Sequence, residues 1–95
     1  MSLSVLLRER WRFVALRLLS DLPGYRLSLQ LVHLGLCDFG VAITLDQARE
    51  VALWLDREGL ATFDDGAVPA LKLTAKGLRV AQGLEFAAGV ARPEP

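Results

Sequence analysis

Few residues in this chain are equipped for covalent or metal chemistry. Cys37 and His33 are each the only residue of their kind. One cysteine excludes an internal disulfide and suggests no metal cluster. Cys37 is expected to act as a small buried hydrophobe, and His33 as a satisfied or surface histidine. No Ser/His/Asp set, paired carboxylates in a glycine-framed cleft, phosphate-cradling loop or metal-ligand spacing accompanies them. No catalytic residue, metal site or cofactor is therefore expected, and the chain does not read as an enzyme. Recognition is the chemistry that remains. Thr44, Gln47, Arg49, Arg57 and Lys72 carry groups able to meet base edges or phosphates. Arg8, Arg10, Arg12 and Arg17 add a basic amino-terminal stretch. Those four either solubilise an apolar helix or contact phosphates or acidic protein.

Four of the five recognition residues fall in one stretch, Ile43 to Leu60, that reads as a complete helix. Thr44 can cap its first turn, and Gln47, three residues on, can return a bond to the Thr44 N–H. Gly59 supplies the left-handed residue that stops the helix. Leu45, Ala48, Val51, Ala52 and Leu55 form its inner face at three- and four-residue spacing.

The other elements follow from the same rules. Helix 1 is expected from about Ser4 to Ser20, with Leu3, Leu7, Trp11, Val14, Leu18 and Leu22 on one face. Val5 and Leu16 lie nearly opposite, so the helix is apolar on most sides and must be buried or shared with a partner. Leu22-Pro23-Gly24-Tyr25 is a turn. Helix 2 is expected from about Ser28 to Phe39, with Leu29, Val32, Leu36 and Phe39 inward, ended by Gly40. Asp65-Gly66 between two apolar runs signals a hairpin, with Pro69 marking an edge or a widened tip. Thr74 can cap a fourth helix with Leu78, Ala81 and Leu84 facing in. The fold expected is mainly α with a small β-hairpin, a winged helix-turn-helix. Residues 1–88 form a single domain, and 89–95 form a flexible tail.

Composition narrows the partners. Formal net charge is zero, which gives no electrostatic bias toward nucleic acid or acidic membrane. Hydrophobic residues make up 53% of only 95 residues. So small a body cannot hide them all, and some should sit at an interface. A homodimer is expected through helix 1 and the carboxy-terminal helix, with Val5, Leu6, Phe13, Leu16 and Phe86 as buried contacts. No signal peptide is evident at the amino terminus. No stretch approaches the roughly 20 apolar residues of a membrane span. A cytoplasmic protein with no membrane partner is expected.

The segment VALWLDREGLATF followed by LKLTAKGLRVAQG resembles the second half of winged-helix regulators of the ArsR and MarR type. Gly59, Leu60, Leu73, Thr74 and Gly77 stand at the matching positions. Across nearly the whole chain the sequence resembles small winged-helix proteins of Mu-like transposable phages and prophages. The matching residues are Ser2 and Leu3, Leu16 to Leu19, Pro23 to Arg26, and Arg92 with Pro93. That resemblance implies a phage-encoded accessory protein acting in a bacterial host cell. It carries no catalytic residues, and it implies DNA binding only through the fold.

Two functions fit these residues. One is a dimeric DNA-binding regulator that uses Thr44, Gln47, Arg49, Arg57 and the wing residue Lys72 on double-stranded DNA. At 100° per residue, however, the outer face of the third helix holds Asp46, Glu50 and Leu53 beside Arg57. Carboxylates repel phosphates and can favour only a cytosine amino group among base edges. The hairpin tip adds Asp64 and Asp65. The other function is a protein-interaction module, a phage accessory or assembly factor contacting a phage or host protein, which suits an exposed Leu53–Trp54 pair beside acids.

Overall fold

Every helix starts at a hydroxyl side chain that accepts a bond from the first turn. Ser2, Ser28, Thr44 and Thr74 cap α1 (Leu3–Ser20), α2 (Leu29–Asp38), α3 (Leu45–Arg57) and α4 (Ala75–Ala81). Each satisfies a backbone N–H that has no partner inside the helix. The computed structural model describes residues 2–93. Besides these helices it holds a single 3₁₀ turn at Pro23–Tyr25 and three strands, β1 (Arg26–Ser28), β2 (Ala61–Asp64) and β3 (Ala70–Leu73). The protein is thus mainly helical with a small antiparallel sheet, ordered β1-β3-β2. No described helix is long and apolar enough to cross a membrane.

The box at the start of α3 is closed in both directions. The Gln47 backbone N–H donates to Thr44 Oγ1 at 3.1 Å, and the Thr44 N–H donates to Gln47 Oε1 at 2.9 Å. Gly59 has φ 74° and ends the helix. The Leu60 N–H then returns to the Leu55 carbonyl at 2.9 Å, which seats Leu60 in the core. Downstream, Thr74 joins two elements. Its Oγ1 donates to the Gly59 carbonyl at 2.7 Å and accepts from the Gly77 N–H at 3.0 Å. The first turn of α4 is thereby drawn against the end of α3.

The sheet differs from a bare hairpin. β3 lies in the middle, with Arg26 opposite Lys72 on one side and Thr62 opposite Lys72 on the other. The short β1 strand was not legible as a strand, because its pairing partner lies far along the chain. β2 and β3 are joined by a loop of residues 65–69, wider than an Asp-Gly two-residue turn. The Pro69 carbonyl accepts from the Leu29 N–H at 2.8 Å, so the base of the loop also steadies the start of α2.

Several expected faces are corrected. Phe13 and Leu16, expected at a dimer interface, are core residues, 8% and 0% exposed. α1 meets α2, α3, α4 and β3 through the arc that carries Phe13, Ala15, Leu16 and Leu19. Both arcs of α1 are apolar, so spacing alone gave no basis for choosing between them. The stripe of Leu3, Leu7, Trp11, Val14 and Leu18 begins with exposed Leu3 and Leu7, and Trp11, Val14 and Leu18 pack partly against the core. Phe39 and Leu84 are exposed, because α2 and α4 end before those positions. Cys37 is exposed rather than buried. Val5, Leu6 and Phe86 are exposed.

The boundary of the packed body also moves. Val90 is 6% exposed within the core cluster. The Ala91 N–H donates to the Glu9 carbonyl at 3.1 Å. The chain expected to be loose from position 89 therefore packs on α1 through Ala91, because a buried valine and a backbone bond hold it there.

Candidate nucleic-acid interface

α3 buries Ala48, Val51, Ala52 and Leu55 and turns Asp46, Glu50, Leu53 and Arg57 outward. This outward ridge has two unlike flanks. On one side stands the β2–β3 hairpin, on the other the amino-terminal half of α1.

The hairpin flank is electrostatically closed. The Arg49 guanidinium is ion-paired with Asp65 at the hairpin tip and lies 5.9 Å from the Phe63 ring centroid. Asp56 Oδ2 accepts from the Phe63 N–H at 2.8 Å. These contacts fasten the hairpin to α3. They also neutralise Arg49, one of the residues expected to meet DNA. Lys72 is elsewhere. Strand alternation puts it on the face of the sheet opposite Phe63 and Leu71, beside Arg26 and Thr62. It does not join the α3 residues.

The α1 flank is basic. Arg8, Trp11 and Arg12 face Gln47, Glu50, Trp54 and Arg57 across an open groove of about 260 Å³. The Arg12 guanidinium lies 4.0 Å from the centroid of Trp54, a cation–π geometry, and donates to the Gly89 carbonyl at 2.9 Å. Burial, and then the neighbouring Arg8, hold the Arg12 pKa below its ordinary value. Arginine nevertheless stays cationic at neutral pH. Arg8 and Arg57 form no ion pair among the described residues. Their charges are open to a ligand.

The five residues singled out from the sequence are therefore divided. Gln47 and Arg57 reach the groove. The Thr44 hydroxyl and the Gln47 carboxamide oxygen are engaged in the cap, which leaves the Gln47 amide nitrogen as a donor end. Arg49 is paired with Asp65, and Lys72 is remote. Arg8 and Arg12 take their place. Their four-residue spacing showed that they share a face of α1, but only the crossing of α1 over α3 shows where that face points.

His33 and Cys37 lie away from this groove. His33 Nε2 is 2.7 Å from the Ile43 carbonyl. A carbonyl only accepts, so this nitrogen carries the proton and donates. Cys37 Sγ is 3.6 Å from the same nitrogen. That proton is already committed, so His33 does not act as a base for the thiol. The histidine fastens α2 to the segment before α3.

No protein-family model, curated protein or solved structure matches this chain.

Proposed function

We propose that this protein is a winged helix-turn-helix that binds double-stranded DNA through the ridge of α3 and the basic flank that α1 adds to it. One observation carries the reading. Arg8, Arg12 and Arg57, from two different helices, converge beside the exposed ridge of α3, while the hairpin flank neutralises its own arginine. α2 and α3 supply a helix-turn-helix pair, and β2–β3 supplies the wing. In such a unit the second helix enters the major groove and neighbouring elements grip the backbone. Here the grip comes from α1. Gln47 is the side chain placed to read a base edge. The resemblance to Mu-like phage proteins fits a small regulator made by a phage or prophage in its bacterial host.

Magnitudes keep the proposal modest. Three arginines against Asp46 and Glu50 leave a small positive excess. Affinity for duplex DNA follows the number of phosphates neutralised. Binding in the range of about 10 µM at physiological salt is expected, in the range of non-specific protein–DNA contacts. Anisotropy of a labelled mixed-sequence duplex, titrated with salt, tests this. With about three phosphate contacts per subunit, log K should fall against log salt with a slope near −3. Arg8→Ala with Arg57→Ala should weaken binding at least ten-fold, and Arg49→Ala should change it little. No binding at low salt would remove the reading.

A second function is favoured by a separate observation. Leu53 is exposed on the ridge, with Trp11 and Trp54 beside it in the groove. Tryptophan and arginine are the residues in which protein hot spots are enriched, and Leu53 adds apolar area beside them. If DNA does not bind, this groove is the surface for a phage or host protein.

A further inference from the structure

Arg49 stands in the amino-terminal half of α3, the half that a helix-turn-helix turns toward base edges. Its guanidinium is held by the carboxylate of Asp65, the first residue of the 65–69 loop. A carboxylate meets a guanidinium with the same kind of charge-assisted bond that a phosphate makes. Both side chains are open to solvent, 36% and 52% exposed, and an ion pair at such a place holds only weakly. The loop is fastened at its base. The Phe63 N–H donates to Asp56, and the Pro69 carbonyl accepts from the Leu29 N–H. Residues 65–68 between these points are all exposed. The tip can therefore move off Arg49 while β2 and β3 keep their register. We propose that Asp65 is an autoinhibitory latch, a carboxylate that takes the place of a DNA phosphate on Arg49 and holds the affinity of α3 down. The inference rests on the DNA reading and names how that surface is restrained.

The latch works by exchange. A phosphate reaching Arg49 has to displace Asp65, so one anion replaces another and little is gained. The displaced carboxylate stays tethered beside the guanidinium, at a high effective concentration that the phosphate must outcompete. Once displaced, it stands near Asp64 and repels the DNA backbone. An arginine already matched by an acid also has little counterion to release, and counterion release supplies most of the affinity for duplex DNA. Arg49 is therefore silent in the parent protein, while Arg8, Arg12 and Arg57 carry the binding. Without the Asp65 charge, Arg49 becomes a fourth cation, on the flank of the ridge away from α1. The ridge is then gripped from both sides. The Phe63 ring, with its centroid 5.9 Å from the guanidinium, keeps Arg49 in place when Asp65 leaves.

Anisotropy of the labelled mixed-sequence duplex, repeated across a salt series, tests the latch. Asp65→Asn should bind roughly eight-fold tighter than the parent at about 0.1 M salt. Its slope of log K against log salt should steepen by about 0.9, the signature of one more phosphate contact. Asp65→Ala, which leaves no side-chain acceptor for Arg49, should do the same. Arg49→Ala added to Asp65→Asn should abolish both the gain and the steeper slope. Asp64→Asn removes an equal charge from the same hairpin without touching the Arg49 pair, and should leave the slope unchanged. Circular dichroism should be the same for all of these proteins, since none of the three residues lies in the core. A gain that survives without Arg49, or an equal steepening in Asp64→Asn, would show that the hairpin acids merely repel DNA, and would overturn the latch. A parent that binds the duplex beside Asp65 variants that bind no better would overturn the latch and leave the DNA reading standing. No binding by any of the proteins at low salt would remove both.

Discussion

A methyl group on Gly77 would stand 1.9 Å from the Leu60 carbonyl oxygen and 2.8 Å from a Leu73 methyl. The oxygen is backbone and is held by the Thr74 N–H at 3.1 Å, so neither partner can retreat cheaply. Gly77→Ala should therefore lower stability by roughly 3 kcal/mol, at the upper end of overpacking costs. Urea denaturation followed by circular dichroism reads this directly. Gly66→Ala, whose new methyl would meet only the exposed Asp64 side chain at 3.2 Å, should change stability far less. Arg12 is the second residue whose context decides its role. It combines a stack on Trp54 with a bond to the Gly89 carbonyl. A flat guanidinium can do both, whereas a lysine ammonium cannot reproduce the planar stack. Arg12→Lys should keep the charge and still lower stability by about 1 kcal/mol. An unchanged thermal midpoint would show that the stack contributes nothing.

At the scale of elements, α3 was readable at both ends because its signals are local. Thr44, Gln47 and Gly59 act within a few residues of where they stand. Thr44→Ala removes the hydroxyl that accepts from the Gln47 N–H, while the backbone N–H of position 44 still donates to Gln47 Oε1, and should cost about 1 kcal/mol. Thr44→Ser should restore most of that. What escaped the sequence is non-local. β1 is a strand only because Leu27 finds Leu71 across the sheet. The buried face of α1 depends on which of two apolar arcs α2, α3 and α4 select. The same divide runs through the site. Arg57 and Gln47 were found from their helical position alone. Arg49 was chosen on equal grounds, but Asp65, sixteen residues on, pairs with it. Arg8 and Arg12 needed the crossing of α1 and α3 to become part of the surface. The two corrections are physically linked, since the turn of α1 that places Arg8 and Arg12 beside α3 also leaves Leu3 and Leu7 outside.

For the whole molecule, the closing element is the segment after α4. It leaves the end of that helix, sets Gly89 against the Trp54 ring and Val90 into the core, and bonds to α1 at Glu9. It thus ties α1 to α3 on the side of the basic groove, and the groove depends on it to hold Arg12 in place. Removing residues 89–95 should cost about 3 kcal/mol, from the lost burial of Val90 and the lost bond to Arg12. A tail that merely trailed would cost nothing. The two tryptophans of the chain, Trp11 and Trp54, both line this groove, so intrinsic fluorescence reports on it. The truncated chain should emit at longer wavelength because Trp54 loses its Gly89 cover. Val90→Ala should lose part of the same stability without that shift, since Gly89 remains. If both variants shifted the emission equally, Val90 rather than Gly89 would hold the segment over Trp54, and the groove would be maintained by core packing instead of by the contact at its rim.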